Sequence, residues 1–88
     1  MDVYSNENLV NSIFIEISSS VEIEFSSKLE EADITYKLIQ RYKDDGEETT
    51  LIEIYIPLFV PKKKFWEALK NIFVDCIEGK PRIVENLN

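Results

Sequence analysis

Carboxylates are the side chains through which this sequence could do chemistry. Glu16, Glu22 and Glu24 fall on alternate positions of one stretch, and Glu30, Glu31 and Asp33 follow closely. Two carboxylates held a few ångströms apart can divide acid and base roles between them, as in glycoside hydrolysis. That chemistry needs a concave, water-poor pocket to raise the pKa of one partner. A chain of 88 residues rarely encloses such a pocket, and a charge-rich strand face is ordinarily solvated. There is no histidine, so the commonest metal ligand and general base is missing. The one cysteine, Cys76, lies on the apolar side of a helical pattern beside Asp75 and Glu78. A thiol there packs as a small hydrophobe rather than ionising in an electropositive niche. The two glycines, Gly46 and Gly79, stand too far apart for a phosphate-cradling loop. The expectation is a non-enzymatic protein with no catalytic, cofactor or metal residues.

Charge points to binding instead. The net charge is −7, and it is unevenly distributed. Residues 1–33 hold eight acids against Lys28 alone, whereas residues 34–88 hold nine acids and nine bases, so the whole excess lies in the first third. Such a field repels phosphate backbones and disfavours direct contact with nucleic acid, while a basic protein surface is attracted. Acidity that serves only solubility is the plainer alternative. Lys62, Lys63 and Lys64 form one basic run at a helix start, where the helix dipole disfavours positive charge. That run is either a solvated helix end or a grip on an acidic partner, including the acidic third of a second copy.

These side chains must be positioned by local elements. Residues 1–11 are polar and read as a loosely held arm. From Ile13 to Phe25 the apolar side chains, Phe14 excepted, fall on odd positions (Ile13, Ile15, Ile17, Val21, Ile23, Phe25), a period of two that signals β structure. A hairpin turning at Ser18-Ser19-Ser20 puts all six on one face and sets Glu16 opposite Glu22 on the other. One long strand bent at the serines is the rival. Residues 27–43 are ambiguous. Ser27-Lys28-Leu29-Glu30 matches a capping box and suits a helix. A hairpin turning at Asp44-Asp45-Gly46 instead pairs Leu38 with Ile52, Tyr36 with Ile54, Ile34 with Ile56, Lys43 with Glu47 and Lys37 with Glu53. The hairpin is preferred, with one helical turn at 28–32.

Pro61 then opens an amphipathic helix whose apolar arc holds Phe65, Trp66, Ala68, Leu69, Ile72, Phe73, Cys76 and Ile77, closed by Gly79 and Pro81. Residues 82–88 form a short edge strand or a tail. The expected fold is α+β: a four-stranded antiparallel sheet of two hairpins, covered on one face by the C-terminal helix, in a single domain over residues 1–88. One helix hardly covers four strands. Phe14, Leu51, Tyr55 and Phe59 on the uncovered side, with Trp66, are therefore candidate contacts of a homodimer.

One cysteine excludes an internal disulfide, no stretch reaches the length of a membrane span, and the opening residues are unlike a targeting segment. A reducing cytoplasmic location follows, the host cytoplasm if the source is viral. Size and charge are similar to those of phage-encoded anti-defence inhibitors, a likeness of composition that involves no motif. It implies an inhibitor or regulator that docks Glu16, Glu22, Glu24, Glu30, Glu31 and Asp33, in the manner of a DNA mimic, on a basic nucleic-acid-handling protein. The alternative is a structural or accessory subunit whose acidity keeps it soluble.

Overall fold

The computed structural model describes residues 11–58 and 61–84. Strand β1 (Asn11–Ser18) buries Ile15 and Ile17 on one face, with Ile13 packed beside them, as the period of two requires. Asn11 thus belongs to the strand; the rest of the expected arm, residues 1–10, lies outside the described residues.

The serine run does not turn a hairpin. Ser18 keeps extended backbone angles (φ −63°, ψ 136°), and its Oγ accepts the Ser20 N–H at 3.3 Å. That is a helix N-cap. A 3-10 turn over Ser19–Val21 leads into helix α1 (Glu22–Glu31). Residues 21–25 are therefore helical, a correction to the strand expected there. Val21 and Phe25 suit either period, but Leu29 continues the helical one, and Val21, Phe25 and Leu29 all enter the core. Ile23, which the strand reading needs inside, is 82% exposed. The capping box expected at Ser27 opens no helix, because residues 27–30 already lie in the C-terminal half of α1.

Helix α1 closes with Asp33 in a left-handed conformation (φ 59°). The Ile34 N–H bonds to the Leu29 carbonyl at 2.9 Å and the Asp33 N–H to the Glu30 carbonyl at 3.1 Å, with Ile34 and Leu29 both buried. These bonds and that contact make a Schellman motif.

Strands β2 (Tyr36–Asp44) and β3 (Glu47–Ile56) form the expected hairpin, with a shorter turn. Asp45 and Gly46 both take positive φ, 59° and 83°, the requirement of a two-residue I′ connection. Tyr36↔Ile54, Lys37↔Glu53 and Leu38↔Ile52 pair as expected, but nearer the turn Lys43 pairs with Glu48, not Glu47. A β-bulge at Ile39 absorbs the one-residue difference. Ile34 is buried but precedes β2, and Ile56 pairs with Asn11.

Helix α2 (Lys62–Asp75) follows Pro61, which stands one residue before the helix rather than at its first position. It buries Phe65, Leu69 and Ile72, with Cys76 beyond its end. Trp66 and Ile77, expected in the apolar arc, are exposed by 39% and 64%. A 3-10 turn (Ile77–Gly79) then leads to strand β4 (Arg82–Val84) at the sheet edge. The left-handed residue at this exit is Lys80 (φ 52°), not Gly79. Gly79 is needed for space: a Cβ there would lie 2.1 Å from Val21 Cγ2.

The sheet order is β2-β3-β1-β4, with every neighbouring pair antiparallel. With the element order β-α-β-β-α-β, this is the split βαβ, or ferredoxin-like, arrangement. Ile15, Ile17, Ile52, Ile54 and Ile56 of the sheet meet Phe25 and Leu29 of α1 and Phe65, Leu69 and Ile72 of α2 in one core. Both helices therefore lie on the same face.

Candidate functional site

The carboxylates expected to form one plate are dispersed, because four of them lie on helix α1, Asp33 lies in the turn after it and Glu16 lies on the opposite side of the sheet. Glu16 lies on the β1 face turned away from Ile15 and Ile17, where Arg82 of β4 pairs with its carboxylate. Glu22 opens α1 and is buried against the sheet. Arg41 of β2 donates to it twice, Nε to Oε1 at 2.8 Å and Nη2 to Oε2 at 2.7 Å. The buried Thr50 hydroxyl of β3 donates to Oε1 at 2.8 Å. With that proton committed, the Ser19 hydroxyl, 2.7 Å away, donates to Thr50 Oγ1. The Arg41 hydrogen bonds hold the Glu22 carboxyl below its ordinary value, against the opposing effect of burial. A carboxylate so satisfied is a poor base, and the cluster anchors α1 to the sheet.

Glu24, Glu30, Glu31 and Asp33 are exposed along α1 and the turn after it. Glu30 accepts the Tyr36 hydroxyl at 2.7 Å, which raises the Tyr36 pKa. Lys28, the only base of α1, faces Asp75 of α2 at 3.6 Å. The exposed acids thus form a ridge on one helix rather than a row on a strand. Ser19 and Glu22 stand three apart, which is the capping-box spacing. That spacing signals a helix start here, with Glu22 in the first turn where the dipole favours negative charge, although the cap itself is Ser18 and Ser19 bonds to Thr50 instead.

Phe14 and Tyr55 do share the sheet face opposite the helices, on adjacent strands and diagonal to each other, but both are partly shielded rather than exposed. Leu51 lies between them and the hairpin turn on that face and is buried without joining the main core. Trp66 is on the helical side, edge-on to Phe65 at 5.2 Å, so these residues do not form one patch. Phe59 lies outside the described residues. Lys62, Lys63 and Lys64 are exposed in the first turn of α2, whose N-cap Pro61 offers no side-chain acceptor.

An open cleft of about 210 Å³ is lined by Glu16, Ser18, Thr49, Lys80 and Arg82 among others, with both charge signs present. Burial raises the Cys76 thiol above its ordinary pKa, which disfavours a reactive thiolate. Among the described residues no group of three His, Cys, Asp or Glu is placed to hold a metal ion. No described helix is long and apolar enough to cross a membrane.

No family model matches the chain, nor does any curated protein or solved structure. The split βαβ arrangement hosts many unrelated functions, so function must be argued from the surface.

Proposed function

We propose that this protein is a small, non-enzymatic binding protein that inhibits or regulates a basic partner protein. It docks through the acidic ridge of α1 and the turn after it. One observation carries the reading: the carboxylates are sorted by their counter-charges. Glu16 and Glu22 are each taken up by an arginine, and Lys28 is engaged with Asp75. Glu24, Glu30, Glu31 and Asp33 remain solvent-facing along α1 and the turn after it. Their charge is available to steer a positively charged surface, and a surface shaped to hold phosphates offers the complementary lysines and arginines.

The test compares what the wild-type chain and an E24Q/E30Q/E31Q/D33N variant capture from a cell lysate, at low and high salt. The reading requires basic proteins retained by the wild type at low salt, released by added salt and lost by the variant. Equal capture by both chains would remove the ridge from the account. Circular dichroism checks that the variant keeps its fold, the outcome expected for four exposed side chains.

A further inference from the structure

We propose that α2 is a self-complementary docking helix, through which two copies of this chain pair antiparallel about a two-fold axis. The proposal goes beyond the acidic ridge and uses none of its residues.

Helix α2 presents two stripes. Phe65, Leu69, Ile72 and Cys76 face the core. On the outer side, Trp66, Lys70 and Val74 follow at spacings of four, which keeps them on one flank, and Ile77 stands exposed in the 3-10 turn beyond. Val74 is 60% exposed and Ile77 64%, the largest exposures among the described large apolar side chains after Ile23. An apolar flank of this kind is covered in a complex or left to solvent at a cost.

The charges of α2 say what covers it. Its first turn holds Lys62, Lys63 and Lys64 and no acid; past its last turn stands the exposed Glu78, while Asp75 is turned to Lys28 of α1. Both ends carry the sign the macrodipole disfavours, so they reinforce the dipole instead of offsetting it. A parallel copy would bring lysine onto lysine. An antiparallel copy brings the acidic end of each helix onto the lysine end of the other. Setting Trp66 against Val74 of the second copy places Lys62 against Glu78 and Lys63 against Ile77, and the two-fold repeats every contact. The Lys70 side chains meet near the axis, with Glu67 three residues before each.

A helix of 14 residues is about 21 Å long. The contact is therefore at the small end of specific interfaces, and the dimer dissociates on dilution.

Sedimentation equilibrium on the full 88-residue chain tests this across concentration and salt. Wild type should move from 10.3 kDa toward twice that mass as concentration rises, and less so at high salt. K62E/K63E/K64E and E78K, each alone, should associate at least about tenfold more weakly. An equimolar mixture of the two should dimerise again, because each variant then meets the opposite charge at both ends. Lys70→Leu should tighten the dimer, and Val74→Ser, at an exposed site, should loosen it. The proposal is overturned by a wild-type mass that stays at 10.3 kDa at about 1 mM. It is equally overturned by single variants that pair as tightly as wild type, or by a mixture that does not pair. None of these outcomes alters the acidic-ridge reading.

Discussion

Arg41 donates to both oxygens of Glu22, so the edge strand β2 holds the first turn of α1 onto the sheet. Thr50 completes the shell from β3. Glu22→Gln keeps the shape but removes the charge that these donors address. The Arg41 side chain is 56% exposed, and solvent screens the outer side of the pair. The expected loss is accordingly at the modest end of charged hydrogen bonds, about 1 kcal/mol. Urea unfolding followed by circular dichroism measures it. An unchanged midpoint would mean that the pair contributes nothing net.

The same carboxylate sets a pH dependence. Its pKa is lowered below 4.5, chiefly by the hydrogen bonds from Arg41. A group with a depressed folded-state pKa contributes its stability fully above the unfolded value, and that contribution is lost as pH falls through the folded value. The stability gap between wild type and Glu22→Gln should therefore be constant near neutrality and shrink once pH drops below 4.5. Melting curves of both proteins across the acid range check this. A gap that persists undiminished in acid would assign it to packing rather than charge.

How far the sequence could be read depended on where its signals were local. Asp45-Gly46 marks a hairpin by itself, and the pairs Tyr36↔Ile54 and Leu38↔Ile52 confirm it. The turn was read one residue too long because the Ile39 bulge restores the register further along, so both turn lengths agree beyond it. The helix over 62–75 was legible because one helical period, carried by Phe65, Leu69 and Ile72, runs through it. The α1 region was not, because Val21 and Phe25 satisfy periods of two and of 3.6 alike. The misplaced carboxylates of the candidate site follow from that single ambiguity: with Glu22 on a hairpin strand it faces Glu16, whereas with Glu22 on a helix the two lie on opposite sides of the sheet. The pairing of β1 with β3 and β4 joins residues far apart in the chain, and no turn motif announces it.

Ile23 and Leu29 separate the two readings of that stretch experimentally. A strand needs Ile23 inside; the helix leaves it 82% exposed and buries Leu29 completely. Ile23→Ser should change stability by less than about 0.5 kcal/mol. Leu29→Ala should cost about 2–5 kcal/mol through lost contacts and the cavity left behind. Chemical denaturation of both variants decides the matter, and a large loss at Ile23 would contradict the helix.

Asp33 holds the left-handed position of the Schellman motif, where a residue without a Cβ fits best. Its carboxylate also sits at the negative end of the α1 dipole. Asp33→Gly removes both conflicts while keeping the Ile34–Leu29 bond. The expected gain is about 0.5–1 kcal/mol, or about 4 °C in Tm for a domain of this size. A drop in Tm on calorimetry would show that the aspartate has a partner stronger than the strain it relieves.

Gly79 makes the opposite demand. Its backbone lies outside the left-handed region, so alanine meets no conformational strain there, yet the added Cβ would lie 2.1 Å from Val21 Cγ2. The clash sits where the 3-10 turn before α1 meets the one after α2, so either turn must move. Gly79→Ala should cost about 1–3 kcal/mol, the range for overpacking a core contact. Val21→Ala removes the two methyl groups that crowd the site. The double variant should therefore be more stable than the sum of the single losses predicts, by about 1 kcal/mol or more. A double-mutant cycle by urea unfolding reads this coupling directly. If the two losses simply add, Gly79 is there for some reason other than the room it leaves for Val21.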